Sequence, residues 1–144
     1  MSAEHLAAYI GDTATVRELL DTTKRSLTGV TGVMLAGADG RPVVHMLEPD
    51  QANAAAAICA ASLSLGQRLA DLVGPGRLSE LTVRSPDGYV LLYAVGDKHV
   101  LMILTVPSAN IARIHLACRD LRRELTGVAH PADAPAGDTP PPPD

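Results

Sequence analysis

Histidine is the side chain most often used for acid–base chemistry and metal binding near neutral pH. The chain has five histidines, scattered over separate predicted elements and without a partner at metal-site or triad spacing, namely His5, His45, His99, His115 and His130. It has no glycine-rich phosphate loop followed by Lys and Ser/Thr, and no G-x-S-x-G nucleophile turn. The sequence therefore predicts no catalytic residue, no metal and no cofactor, and a protein that is not an enzyme.

Other residues capable of chemistry have simpler explanations. Cys59 and Cys118 lie far apart in helical segments, which is typical of small buried residues rather than of a disulfide framework or a zinc site. Asp39, Asp87 and Asp97 each stand beside a glycine, and turn formation explains all three. An arginine supplied in trans can stabilise phosphoryl transfer by a bound GTPase. Four arginines are candidates for that role, with ordinary solvated arginines as the simpler interpretation: Arg41, Arg68, Arg77 and Arg84.

Composition indicates one small globular domain. The chain has 144 residues, of which 47% are apolar and 19% charged, with no Phe or Trp. Its net charge of -4 excludes the basic footprint of a nucleic-acid-binding domain. The longest uncharged stretch, Gln51 to Gln67, is too short and too polar to span a membrane, and the N-terminus lacks the pattern of a signal peptide. We expect a cytoplasmic protein.

The pattern of the first half predicts a helix, a hairpin and a second helix. Thr15 and Glu18 fit a capping box before the first helix. Strands are expected at Val30–Ala36 and Val43–Leu47, joined by a tight turn at Asp39-Gly40. Asp50 is the expected N-cap of a long helix that runs to Val73.

The second half predicts three strands and a last helix. The strands are expected at Leu78–Arg84, Tyr89–Val95 and His99–Val106, and the last two are continuously apolar, as in the middle of a covered sheet. Ser108 is the expected cap of a helix that ends at Gly127.

This order, αββαβββα, indicates an α/β fold of the α+β type. We expect a five-stranded antiparallel sheet with one long helix on one face and two helices on the other. The predicted domain occupies residues 13–127, after an N-terminal extension at residues 1–12. Residues 128–144 are rich in Pro and Asp and are predicted to form a disordered tail.

The middle helix has more apolar surface than one sheet face requires. One row contains Ala55, Ile58, Cys59, Ser62, Leu65, Leu69 and Leu72, which we expect to face the sheet. A second, small-sided row contains Ala56, Ala60, Leu63 and Gln67. Small side chains allow two helices to approach closely, so the second row predicts contact with a second copy.

Three segments together resemble the roadblock / dynein light chain family, especially its bacterial MglB-like members. They are GVMLAGADGRPV, AAAAICAASLSLGQRLADLVGPG and GYVLLYAVGDKHVLMILTVPSANIARI. The resemblance implies a roadblock/profilin-like fold and a homodimer in which the middle helices and third strands meet across a two-fold axis, giving one ten-stranded sheet. It also implies a small Ras-like GTPase as partner, and no catalytic residue.

Antiparallel self-pairing of the third strand about Thr82 would set Glu80 against Arg84 of a second copy and Leu81 against Val83. The predicted dimer interface is therefore Ala56, Ala60, Leu63, Gln67, Glu80, Leu81, Thr82, Val83 and Arg84. The alternative is an edge strand whose charges prevent association.

The resemblance implies that the protein is a homodimeric, non-enzymatic regulator or scaffold that binds a small Ras-like GTPase, as activator or as adaptor. The alternative is a small-ligand sensor of the GAF or PAS kind, since the same order of elements suits those domains. Such a sensor requires a cavity with convergent polar groups.

Overall fold

The structure is a computed structural model that describes residues 12–129. Nearly all of the predicted N-terminal extension and of the predicted tail lies outside the described residues. The elements follow the predicted order, αββαβββα. The helices are α1 (Thr13–Ser26), α2 (Pro49–Asp71) and α3 (Ile111–Ala129). The strands are β1 (Val30–Gly37), β2 (Pro42–His45), β3 (Glu80–Ser85), β4 (Gly88–Val95) and β5 (His99–Thr105).

The five strands form one antiparallel sheet in the order β2-β1-β5-β4-β3. The continuously apolar strands β4 and β5 lie inside the sheet, as predicted. Within residues 12–129, β3 is an edge strand that pairs with β4 alone. Helices α1 and α3 pack together over one face, and α2 covers the other. The predicted fold class is confirmed.

Alternation along the strands divides the core into two clusters. In β1, Val33 and Leu35 join the larger cluster beneath α1 and α3, whereas Met34 and Ala36 join the smaller cluster beneath α2. The contribution of α2 to its cluster is small-sided, which brings that helix close to the sheet.

The starts of the first two helices differ from the prediction. Asp12, not Thr15, caps α1: its Oδ1 accepts hydrogen bonds from the backbone N–H of Ala14 at 3.0 Å and of Thr15 at 3.2 Å. The α2 helix begins at Pro49, whose fixed φ suits the first helical position, so Asp50 lies within the first turn and is not the cap.

The last helix also begins and ends later than predicted. Asn110, not Ser108, caps α3, because its Oδ1 accepts from the Arg113 backbone N–H at 3.1 Å. The helix continues through Gly127 to Ala129. Glycine inside a helix costs only about 1 kcal/mol relative to alanine, so it does not compel an end.

Side-chain hydrogen bonds explain two shifted strand boundaries. The backbone N–H of Leu78 donates to Oε1 of Gln67 at 2.7 Å, so β3 begins at Glu80 and not at Leu78. The backbone N–H of Leu47 donates to Nδ1 of His45 at 3.3 Å, and β2 ends at His45 rather than at Leu47.

Candidate interaction surface

Helix α2 turns large aliphatic side chains away from the sheet. Ile58, Leu65 and Leu69 are 64%, 63% and 64% exposed, and Leu72, immediately after the helix, is 82% exposed. These four residues, which we call the exposed row, are separated by seven, four and three residues in turn and therefore follow one side of the helix. A contiguous apolar surface of this kind marks an interaction site more often than an ordinary monomer surface.

The row that packs on the sheet is the small-sided one. Ala52, Ala56, Cys59 and Gly66 are buried, and Ala56 has 0% exposure. Ala56, which was predicted for the dimer interface, thus packs against its own sheet and has no exposed surface in the single chain. Small residues are needed on this side: a Cβ at Gly66 would lie only 2.7 Å from a terminal methyl carbon of Leu78.

The other α2 residues predicted for the interface also turn toward their own chain. Leu63 packs against the cluster beneath α2, and half-buried Ala60 lines a groove. Gln67 fastens the following loop, since its Oε1 accepts from Leu78 N and its Nε2 donates to the Gly76 carbonyl at 3.2 Å. The outward surface of α2 is therefore the exposed row, which the sequence pattern had assigned to the sheet.

The predicted interface residues of β3 lie together along a free sheet edge. Glu80, Thr82, Val83 and Arg84 are exposed and Leu81 is half-buried. Leu81 packs against the cluster beneath α2, so Val83, two residues on and 47% exposed, is on the same sheet face. Glu80, Thr82 and Arg84 are on the face that carries α3.

The hydrogen bonds to β4 determine which backbone groups of β3 point outward. The backbone N–H of Ala94 donates to the Ser79 carbonyl at 3.1 Å. Bonding alternates along an antiparallel pair, and the β3–β4 register is regular from Glu80 to Ser85. The N–H and C=O groups of Glu80, Thr82 and Arg84 therefore point away from the sheet.

The buried side of α2 approaches the edge strand near Gly66. Gly66 of α2 lies against Leu78 and Leu81, so that side of the helix is the one nearest β3. Leu69 is three residues from Gly66 and is its neighbour on the helix surface.

A polar cluster joins the edge strand to α3. The Tyr93 hydroxyl lies 2.6 Å from Nδ1 of His115, and the same nitrogen lies 3.2 Å from Oε2 of Glu80. The Tyr93 and His115 rings meet edge to face, with centroids 5.7 Å apart. Sequence spacing gave no sign of this cluster, because its members come from three different elements.

The thiols are not arranged for nucleophilic chemistry. Burial raises the pKa of Cys59 and of Cys118 to about 11, so both remain protonated near neutral pH. Burial also raises the pKa of the Tyr93 hydroxyl, which therefore remains a hydrogen-bond donor.

A groove of about 500 Å³ lies between the C-terminal half of α2 and the β4–β5 turn. Its volume falls in the range of ligand pockets, about 300–1,000 Å³. Two of its polar side chains are nevertheless engaged within the chain: Gln67 holds the loop, and Arg77 forms an ion pair with Asp97. The groove therefore does not favour the sensor alternative.

Within residues 12–129, no three His, Cys, Asp or Glu side chains are grouped so that they could hold a metal ion. None of the helices in the same range is both long and apolar enough to cross a membrane.

Comparison with known proteins gives the family. A family model described as the Roadblock/LC7 domain matches residues 15–105, from α1 to the end of β5. The chain belongs to the Roadblock/LC7 family. No curated protein sequence is significantly similar to it.

Solved Roadblock/LC7 structures have the same fold. The Roadblock/LC7 domain from Streptomyces avermitilis is 21% identical, with 76% of this chain and 92% of that one covered and a TM-score of 0.72. MglB from Myxococcus xanthus is 15% identical, with 81% and 89% covered and a TM-score of 0.74. A structure titled "MglB with tetrameric arrangement" is 20% identical, with 80% and 88% covered and a TM-score of 0.72.

Proposed function

We propose that this Roadblock/LC7 protein is a homodimeric, non-enzymatic regulator or scaffold for a small Ras-like GTPase. The observation that carries the dimer is the exposed row of α2, and the position of β3 at the edge of the sheet supports it. The GTPase partner is supported by family membership and by the likeness to MglB.

The exposed row is suited to pairing with itself. Ile58 and Leu72 each lie seven residues from Leu65, so these two members of the row are symmetric about Leu65. Two copies of α2 packed antiparallel about Leu65 would set Ile58 against Leu72 of the second copy. Leu69 would meet Ala61 of the second copy, a large side chain against a small one. A two-fold axis makes each of these contacts twice.

The edge strand can also pair with itself about a two-fold axis. Outward backbone groups must meet outward backbone groups, so Glu80, Thr82 and Arg84 must pair among themselves. Pairing about Thr82 satisfies this rule and sets Glu80 against Arg84 of the second copy, with Leu81 against Val83. Pairing about Leu81 or Val83 also satisfies the backbone rule but separates the opposite charges. We therefore favour the register about Thr82, and with it a ten-stranded sheet.

A regulator of this kind needs no catalytic group of its own. It acts by binding one conformation of its partner more tightly than another, or by holding the partner's own groups in place. The protonated thiols and the internally engaged polar side chains are consistent with a binding protein.

Mixing the chain with a purified small Ras-like GTPase tests this function. We expect the two proteins to co-elute from a size-exclusion column. Faster GTP hydrolysis in the mixture would make the chain an activator, and unchanged hydrolysis with clear co-elution would make it a scaffold. Absence of co-elution in both the GDP and the GTP state would contradict the proposed partner.

A further inference from the structure

The polar cluster of Tyr93, His115 and Glu80 runs from the core to the free edge of the sheet. Tyr93 is 2% exposed, whereas the side chains of His115 and Glu80 are 31% and 48% exposed. One nitrogen, Nδ1 of His115, is within reach of both the Tyr93 hydroxyl, at 2.6 Å, and the Glu80 carboxylate, at 3.2 Å. Whether that nitrogen carries a proton therefore affects Glu80, which is a side chain of the edge strand.

The Tyr93 hydroxyl and the Glu80 carboxylate differ in the hydrogen bonds that they can form with Nδ1 of His115. The Tyr93 hydroxyl can donate into the Nδ1 lone pair or accept from an Nδ1–H, whereas the Glu80 carboxylate can only accept. Because the Tyr93 hydroxyl stays protonated, it can fill the lone pair of the neutral ring. Glu80 then has no hydrogen bond to gain from His115. When Nδ1 carries a proton, its N–H and the positive ring hold Glu80.

Ionisable groups on β3, β4 and α3 lie close to the polar cluster. Glu80 faces it from β3 and Tyr93 from β4. On α3 itself, Cys118 lies beside the Tyr93 hydroxyl and its thiol stays protonated. Arg122, two turns along α3, donates its Nε–H to the Ala94 carbonyl at 2.8 Å, and Arg119 lies one turn along. Of these groups, Glu80 is the one that also belongs to the edge strand.

We infer that His115 positions Glu80 at the edge strand, and that protonation of His115 withdraws Glu80 from Arg84 of a second copy. This inference rests on the proposed homodimer and its register. With the ring neutral, Glu80 is available to the partner guanidinium across the two-fold axis. With the ring protonated, Glu80 is held within its own chain and its charge is offset. The dimer therefore weakens as the pH falls.

The experiment measures the dimer dissociation constant at pH 7.5 and pH 5.5 by dilution of the full chain carrying a fluorophore on its N-terminus. We expect the constant to be roughly fivefold larger at pH 5.5, as two solvent-exposed charge contacts are each weakened. His115→Asn keeps a polar group without a titrating ring and should remove most of the pH dependence. Glu80→Gln should do the same by removing the charge.

His45→Asn is the matched control. His45 lies on β2, at the opposite edge of the sheet, where its Nδ1 accepts from Leu47 N. This variant should keep the wild-type pH dependence. Loss of the dependence in His45→Asn, or its retention in both His115→Asn and Glu80→Gln, would overturn the inference.

The wild-type result separates this inference from the proposed function. A dimer with equal dissociation constants at the two pH values, or one that is tighter at pH 5.5, contradicts the role of His115 alone. A wild-type chain that is monomeric at every concentration and pH contradicts the homodimer as well.

Discussion

Leu69→Ala should weaken self-association strongly without disturbing the fold of the single chain. Complete burial of a leucine side chain contributes about 1.5–3 kcal/mol. Because 64% of Leu69 is exposed in the single chain, covering that part in a dimer contributes about 1–2 kcal/mol. The two-fold axis doubles this to about 2–4 kcal/mol. Alanine keeps only the Cβ of the leucine, so we expect the dissociation constant to rise about 30-fold or more.

The assay is sedimentation equilibrium over a wide range of concentrations, with circular dichroism to confirm that each variant is folded. Leu116→Ala is the control, because Leu116 is 58% exposed but lies on α3, on the other face of the sheet. It should change the dissociation constant by no more than about twofold. The assignment of α2 is refuted if Leu69→Ala dimerises like the wild type, or if Leu116→Ala has the larger effect.

The edge strand, one turn and the thiols each give a further prediction. Glu80→Arg should raise the dimer dissociation constant, because it sets like charges against each other across the axis. Adding Arg84→Glu should restore the dissociation constant. Light scattering that shows no change in either variant would exclude the register about Thr82. Gly88→Ala should lower the free energy of unfolding in urea by at least about 2 kcal/mol. The reason is that φ of Gly88 is 145° and that a Cβ there would collide with a backbone oxygen of β5. An unchanged unfolding midpoint would contradict that geometry. Cys59 and Cys118, whose burial raises each pKa to about 11, should react slowly with Ellman's reagent at pH 8 in the folded chain and rapidly in guanidinium chloride; rapid reaction of the native protein would show that a thiol is accessible.

The order of elements and the layers could be predicted from the sequence because each depends on local pattern. The continuous apolar runs at Tyr89–Val95 and His99–Val106 placed those strands inside the sheet, and the structure confirms this. Helix ends were less predictable. Several residues near the helix starts have side chains that can cap a helix, namely Asp12, Thr15, Ser108 and Asn110. Which of them becomes the cap depends on the path of the chain in the folded protein.

The side of α2 that faces the sheet was predicted wrongly. A pattern of hydrophobic residues contains no information about how closely a helix approaches the sheet. The pattern sent the larger side chains, such as Leu65 and Leu69, to the sheet, as in most amphipathic helices. In the structure the fully buried residues of α2 are small ones, such as Ala56 and Gly66, and Leu63 packs half-buried beside them. The glycine within the helix was the available signal, since glycine in a helix interior is costly unless close packing requires it.

The cluster of Tyr93, His115 and Glu80 could not be predicted from sequence spacing. Its members come from β4, α3 and β3, and Tyr93 and His115 are brought together by the packing of α3 across the sheet. The edge strand was easier to interpret, since Glu80, Thr82 and Arg84 alternate with Leu81 and Val83 in the sequence itself.

The mass of the chain in solution, alone and with a GTP-loaded small Ras-like GTPase, tests the central claim most directly. Multi-angle light scattering should give twice the 15.0 kDa of one chain for the protein alone. With the GTPase it should give a heavier species that contains both proteins. A species of one chain's mass that does not change when the GTPase is added would contradict both the homodimer and its proposed partner.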